Sequence, residues 1–201
     1  MPDTSNMGIP PQTYAILREF LTAPAPSTQL ELSKQSKSSP SQVSRIINKL
    51  IATGYAERQQ DGRYRVLAAP AILTHLAFQR PMSKLTSNTL MIRATPHEAK
   101  EALVREGCTL AMDSALETYS AYFRSDRVCA YTTEAPRIME GLRSSAGGLL
   151  KVQLYEPDLP LEGDVEGGHT TRFRTLFDLV CDGRAYAGKD LFEQLWGVHL
   201  A

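Results

Sequence analysis

The stretch SPSQVSRIINKLIATG, residues 39–54, contains the most clearly defined element of the chain. Its apolar residues recur at spacings of three and four, which places them on one stripe of a helix. Ser39 is a favourable N-cap, and Pro40 loses no hydrogen bond because the first N–H of a helix has no partner within it. Gly54 follows where a left-handed C-cap is expected. The stretch therefore predicts an amphipathic helix over residues 40–53. Its apolar stripe consists of Val43, Ile46, Ile47, Leu50 and Ile51.

Helical patterns precede this element, and a hairpin pattern follows it. Residues 12–22 place apolar side chains on one helical face, and residues 28–36 predict a shorter helix. Two short extended runs, residues 55–58 and 63–67, flank the sequence Gln-Gln-Asp-Gly. Asp-Gly between such runs is a strong signal for a β-hairpin turn. Three helices followed by a β-hairpin predict a winged helix-turn-helix.

The face of helix 40–53 opposite its apolar stripe is polar and has no acidic residue. A DNA major groove admits one α-helix, and Arg, Asn, Gln and Ser side chains read base edges there. We therefore predict that this helix reads double-stranded DNA. Cations before the helix and on the 58–65 wing, where arginines alternate with packing Tyr64 and Val66, are expected to contact the backbone or an adjacent minor groove. The predicted DNA-binding residues are Lys34, Lys37, Ser41, Gln42, Ser44, Arg45, Asn48, Lys49, Arg63 and Arg65.

Two other interpretations of this surface exist: a plain solvated helix face, and a winged helix that contacts protein instead of DNA. Charge gives a weak argument for DNA. Residues 1–68 hold eight basic and five acidic residues, whereas the whole chain is neutral with 22 of each. The helix, its cap, the hairpin and the charge all agree with DNA binding, and such agreement favours it over both alternatives.

The same region resembles the helix-turn-helix and wing of many prokaryotic transcription regulators. The likeness depends on ELSK at residues 31–34, SPSQVSRIINKL at 39–50 and GYAER at 54–58. It implies a DNA-binding regulator and does not point to any one member of that class.

The rest of the chain predicts a small α/β domain in which helices cover a short sheet, so the fold class of the whole chain is α+β. The predicted divisions are a disordered tail at residues 1–10, the winged helix-turn-helix at 11–69 and the α/β domain at 70–201. A connecting helix is expected at residues 72–79. Strands are expected at residues 89–93, 127–132 and 149–155, and helices at residues 95–107, 110–119, 133–143, 171–181 and 188–197. Of these helices, the first has a capping box of Thr95 and Glu98, and Thr133 is the expected cap of the third.

The second half resembles the C-terminal domain of the AbiE-type (AbiEi) antitoxin family. The residues of the likeness are CTLAMDSAL at 108–116, RVCAY at 127–131, TTRFRTLFDL at 170–179, GRA at 183–185 and KDL at 189–191. The resemblance implies a cytoplasmic regulator that represses its own operon, often beside a nucleotidyltransferase-like toxin. The function expected from it is autorepression. The alternative is an antitoxin-type protein-interaction module that antagonises such a toxin. A toxin and a second copy of the chain are therefore candidate partners besides DNA.

An enzyme is not expected, because the chain lacks the common phosphate-binding, hydrolase and metalloprotease motifs. The sequence Gly-Asp-Val-Glu at residues 163–166 is a near match to a nucleotidyltransferase motif but lacks its preceding Gly-Ser. It lies in an acidic run, which predicts a flexible loop that is either solvated or in contact with a basic partner. The acids of this run are Glu156, Asp158, Glu162, Asp164 and Glu166.

Neither a metal site nor another cofactor site is expected. Cys108, Cys129 and Cys181 are far apart in the sequence, and the histidines are equally scattered, whereas metal sites prefer close pairs. We predict buried, inert cysteines. No apolar run approaches the ~20 residues that cross a bilayer, and the first ten residues lack a signal pattern. The expected location is the cytoplasm, without membrane contact.

Overall fold

The computed structural model describes residues 8–120, 123–143 and 146–199. The chain divides into two compact units between Arg80 and Pro81. The first unit contains helices and a β-hairpin, and the second contains helices and a mixed sheet, which confirms the predicted α+β class. Most of the expected tail, residues 1–7, lies outside the described residues.

The first unit has the predicted order of three helices and a hairpin. Thr28 and Ser39 cap the second and third helices through capping boxes, which explains where these helices begin. The unit also includes a helix that the sequence pattern assigns to the start of the second domain. The elements are α1 (Pro11–Thr22), α2 (Gln29–Gln35), α3 (Pro40–Ala52), β1 (Ala56–Arg58), β2 (Tyr64–Val66) and α4 (Ala69–Gln79).

The core of the first unit joins the three helices to the hairpin. Ile47 on α3 and Leu32 on α2 are fully buried, as is Ile16 on α1. The connection between α1 and α2 also pairs with the hairpin, because Ser27 and Tyr64 exchange backbone hydrogen bonds of 3.0 and 2.8 Å. The wing is therefore fixed to the helices at its base. The buried cluster consists of Ile16, Phe20, Leu32, Val43, Ile47, Ala56 and Tyr64.

Within the described residues, the strands of the second unit form a six-stranded sheet in the order β3-β6-β5-β4-β8-β7. The pairs β3/β6, β4/β5 and β7/β8 are antiparallel, and β5/β6 and β4/β8 are parallel. A 3-10 turn at Met82–Lys84 precedes the sheet, and another at Ala185–Gly188 precedes the last helix. The strands are β3 (Ser87–Ile92), β4 (Thr109–Leu110), β5 (Arg127–Tyr131), β6 (Leu150–Tyr155), β7 (Val165–Glu166) and β8 (His169–Thr170). The helices are α5 (Pro96–Arg105), α6 (Met112–Tyr119), α7 (Ala135–Leu142), α8 (Arg172–Cys181) and α9 (Lys189–Trp196).

Helices cover both faces of the middle of this sheet. On one face, Leu103 of α5 and Ile138 of α7 join a buried cluster with Val128 of β5 and Val152 of β6. On the other face, α6 packs against β5 and α8. Val128 and Cys129 point to opposite faces, and both are fully buried. The predicted arrangement of helices over a short sheet is confirmed.

Three expectations for the second unit are wrong in detail. Leu110 belongs to strand β4 and not to the following helix, which begins at Met112. Thr133 does not cap α7, because Glu134 holds that position without a side-chain cap bond. The acidic run is not wholly a loop, since β7 and β8 form a hairpin there and Asp164 is 1% exposed. None of the helices in the described part of the chain is long and apolar enough to span a membrane.

Candidate nucleic-acid interface

The turn between α2 and α3 is held by short polar contacts that set the direction of α3. The Ser33 hydroxyl donates to the Ser38 carbonyl at 2.6 Å, and the Ser38 hydroxyl donates to Gln12 Oε1 of α1 at 2.9 Å. Across the turn, Gln29 Nε2 donates to the Pro40 carbonyl at 2.8 Å. Lys37 in this turn has a φ of +51°, a left-handed conformation that few residues other than glycine adopt. The helix pair therefore presents α3 in one defined orientation.

The N-terminus of α3 uses one of the predicted base-reading residues as a cap. The backbone N–H of Ser39 donates to Gln42 Oε1 at 3.0 Å, and the backbone N–H of Gln42 donates to Ser39 Oγ at 3.3 Å. Ser41 Oγ lies 3.1 Å from Ser39 Oγ. Since its side-chain oxygen is occupied, Gln42 orients the helix and has only its amide N–H groups left for a base.

The exposed side of α3 is a narrow polar stripe opposite the buried Val43 and Ile47. Residues 41, 45, 48, 49 and 52 follow helical spacing along it, so their side chains share one face. Asn48 Nδ2 donates to Ser44 Oγ at 3.2 Å, which orients the amide. The exposed members of the stripe are Ser41, Arg45, Asn48, Lys49 and Ala52.

The cations of this stripe are available for a ligand. Arg45 and Lys49 are exposed, and the structure gives neither an ion pair among the residues that it describes. Lys34 and Lys37 are exposed on the segment that leads into α3. Four cations thus lie on or just before α3, which can attract the phosphates beside a groove.

The two wing arginines have different surroundings. Arg63 Nη1 donates to the Pro26 carbonyl at 2.9 Å and lies 3.4 Å from Glu31 Oε2. Arg65 is exposed, with Nε 3.7 Å from Glu57 Oε1, while Tyr64 between the two arginines is buried as predicted. Arg63 therefore fastens the wing to the loop before α2, whereas Arg65 is presented outward.

Glu31 helps to hold the Arg63 side chain against the loop before α2. The Thr28 backbone N–H donates to Glu31 Oε2 at 2.7 Å, and this bond lowers the pKa of the Glu31 carboxyl. The Thr28 hydroxyl and the charge of Arg63 act in the same direction. Glu31 is therefore ionised at neutral pH, where it caps α2 and attracts Arg63.

Sequence reasoning missed one wing cation, Arg58 at the end of β1. Its side chain is exposed next to the turn, and the residues that the structure describes provide it with no ion pair. The sequence signal for Arg58 is its position directly before the Gln-Gln-Asp-Gly turn, because a cation next to a hairpin turn is exposed at the end of the wing. Arg58 and Arg65 are thus the outward cations of the wing.

The second unit contains a network of ion pairs, partly buried around the fully buried Asp113, that sequence reasoning also missed. Asp113 on α6 accepts hydrogen bonds from Arg127 and Arg184, and Arg127 Nη2 donates to Asp182 Oδ2 at 2.6 Å. On α8, Arg174 Nε lies 3.0 Å from Asp178 Oδ2, and both side chains are fully buried. The sequence signal for the pair of Arg174 and Asp178 is their spacing of four residues, which places the two side chains on one face of a helix.

This network holds α6, β5 and α8 together and has no arrangement suited to a metal. Within the described residues, no group of three or more His, Cys, Asp or Glu side chains could hold a metal ion. The cysteines Cys108, Cys129 and Cys181 are buried. Burial raises the pKa of Cys129 to about 12, so its thiol is protonated at neutral pH.

Comparison with known proteins supports the interpretation of the first unit. Residues 7–64 match the sequence model of the MarR family, and this match lies wholly in the first unit. No match to a curated protein was found. The first unit is thus a winged helix-turn-helix that is similar to the domain of the MarR family, and this similarity supports a role in DNA-binding transcription regulation.

Proposed function

We propose that the chain is a sequence-specific transcription regulator that inserts α3 into the DNA major groove. The observation that supports this most strongly is the exposed stripe on α3, which lacks acidic residues and lies in a MarR-type domain. A helix with these side chains can donate hydrogen bonds to base edges while its cations face phosphates. The protein acts in the cytoplasm, where such DNA is present, and needs no catalytic site.

The structure suggests a separate task for each group of residues. We propose that Arg45, at the middle of the stripe, contacts a guanine and that Asn48, whose amide bonds Ser44, contacts an adenine. Arg63 keeps the wing in place instead of contacting DNA. The proposed phosphate contacts come from Lys34, Lys37, Lys49, Arg58 and Arg65.

Selection of duplexes from a random-sequence library tests this function, because the library contains every short operator sequence. The full chain should enrich one motif and bind it more tightly than a scrambled duplex. The affinity, measured by fluorescence anisotropy at two salt concentrations, should fall steeply with salt because phosphate contacts release counterions. If no motif is enriched and no duplex binds at low salt, α3 is a protein-contact surface.

Autorepression is the finer form of this proposal. It is supported by the resemblance of the second half to AbiE-type antitoxins, which implies control of the chain's own operon. The test is anisotropy on the DNA directly upstream of the coding sequence, followed by transcription from that promoter. Binding with reduced transcription supports autorepression. If the chain binds only motifs that are absent from its own upstream DNA, autorepression is excluded and the chain regulates other genes.

A second candidate function is neutralisation of a toxin by the second unit. The favouring observation is the run of exposed carboxylates in the segment that leads from the end of β6 to the β7/β8 hairpin, because such a run suits a basic partner surface. Its exposed acids are Glu156, Asp158, Glu162 and Glu166. If a nucleotidyltransferase-like reading frame lies beside the gene, coexpression should relieve the growth arrest that its product causes. Relief by a chain with Arg45→Ala would separate this function from DNA binding.

A further inference from the structure

The capping box of α3 differs from the capping boxes of α2 and α5. α2 and α5 carry a glutamate at the third helical position, Glu31 and Glu98, whereas α3 carries Gln42 there. A capping box needs only a side-chain oxygen at this position, which accepts the backbone N–H of the cap residue. A glutamate would therefore cap α3 equally well, and the amide nitrogen of Gln42 has no part in the cap.

The cap fixes the direction in which the Gln42 amide faces. The Ser39 backbone N–H can only donate, so it must face Gln42 Oε1, which lies 3.0 Å away. The Ser39 hydroxyl donates to the same oxygen, also at 3.0 Å. Both lone pairs of this oxygen are thus used. Among the residues that the structure describes, none accepts a hydrogen bond from Gln42 Nε2, so this atom keeps two N–H donors at the first turn of α3.

An amide held in this way lacks one of the two groups that read adenine. Glutamine contacts adenine through both amide atoms, because its oxygen accepts from N6 while its nitrogen donates to N7. Donors alone match base edges that present acceptors. In the major groove guanine presents two acceptors, O6 and N7, whereas thymine presents O4 beside a methyl group and cytosine presents a donor. Guanine is therefore the base that suits the capped Gln42.

We infer that Gln42 selects a guanine in the DNA site and discriminates against adenine. This inference depends on the proposed function, in which α3 enters the major groove and its N-terminal residues contact base edges. Asn48 on the same helix is the contrast. It donates to Ser44 Oγ through Nδ2, and the described residues donate no hydrogen bond to its oxygen. Asn48 keeps the acceptor that adenine needs, and Gln42 does not.

Selection of duplexes from a random-sequence library, carried out with the wild-type chain and with Gln42→Ala, identifies the base pair that Gln42 contacts. It is the pair at which the variant loses its preference, and we expect a guanine there in the wild-type motif. Replacing this guanine by adenine should weaken wild-type binding by about fivefold or more, and binding of Gln42→Ala by no more than about twofold.

Gln42→Glu separates the base contact from the cap, because it keeps the cap oxygen and removes both donors. Its melting temperature should be no lower than that of the wild type. Its preference for guanine should be lost in favour of cytosine, whose N4 donates to a carboxylate. Glu98→Gln, the reverse exchange in the capping box of α5, is the matched control and should leave the selected motif unchanged.

The outcomes distinguish this inference from the proposed function. The inference is overturned, and the chain remains a sequence-specific regulator, if Gln42→Ala selects the wild-type motif unchanged. The same holds if the pair that Gln42→Ala relaxes has adenine, cytosine or thymine in place of the expected guanine, or if Gln42→Glu still prefers guanine. If the wild type enriches no motif at all, the inference and the proposed function both fail.

Discussion

Replacing Ile47 by alanine should loosen the whole DNA-binding unit, because this side chain joins α3 to the other helices. Ile47 is fully buried in the cluster with Ile16, Phe20 and Leu32. Truncation removes three carbon groups, worth ~2.4 kcal/mol at ~0.8 kcal/mol each. The cavity left behind adds to this, so the free energy of opening should fall by about 2.5–4 kcal/mol.

Hydrogen exchange of α1 and α3, followed by mass spectrometry, measures this loss within the first unit alone. Under conditions where exchange reports the opening equilibrium, the change corresponds to an acceleration on the order of 100-fold to 1,000-fold. Lys49→Ala on the exposed side of the same helix is the matched control, and it should change the opening free energy by no more than ~0.5 kcal/mol. The reasoning fails if Ile47→Ala exchanges at the wild-type rate, or if Lys49→Ala accelerates exchange as much.

Three further predictions concern the wing, the cap of α2 and the cysteines. In DNA binding, Arg65→Ala should lower the slope of log affinity against log salt by about 0.9, as for one lost phosphate contact. Arg63→Ala should leave this slope unchanged, because the Arg63 guanidinium bonds the Pro26 carbonyl. Equal slopes for the two variants would refute the division of roles between the two arginines. The Glu31 carboxyl has a lowered pKa in the folded state, so the stability that it contributes is present above its unfolded pKa of about 4.3 and is lost as pH falls through the folded value. The melting temperature of Glu31→Gln should therefore lie below that of the wild type near neutral pH and converge with it in acid; a constant difference across pH would contradict this. Ellman's reagent should modify Cys129 only after unfolding, because its protonated thiol is buried; rapid modification of the native chain would show that this part of the core opens.

The winged helix could be predicted from the sequence because its signals are local. Ser39 and Pro40 mark the start of α3, and its apolar stripe faces the core as the helical period requires. The Asp-Gly pair identifies the hairpin turn, where Gly62 has a φ of +83°. Each of these features depends on neighbouring residues and not on distant contacts.

The roles of individual site residues could not be predicted in the same way. Arg63 and Arg65 occupy equivalent positions in the alternating sequence of the wing. They differ because Arg63 bonds the carbonyl of Pro26, which is 37 residues away in the sequence. The use of the Gln42 oxygen as a cap is different, because the spacing of Ser39 and Gln42 is a local capping-box pattern that the sequence does contain. In the second unit, the sequence pattern places Asp164 in a solvated run, yet it is buried 3.8 Å from Arg174. Such long-range partners leave no local pattern.

The central claim is that the exposed side of α3 distinguishes one DNA sequence from another, and Arg45→Ala tests it most directly. The measurement is the ratio of affinities for the selected duplex and a scrambled duplex, compared between the wild type and this variant. Loss of a guanine contact should reduce discrimination by ~1–3 kcal/mol, about fivefold to 150-fold, with a smaller change on scrambled DNA. Arg105→Ala on α5, an exposed arginine of the second unit, should leave the ratio unchanged. If Arg45→Ala retains the wild-type ratio, α3 does not read DNA through this residue and the account of the interface is wrong.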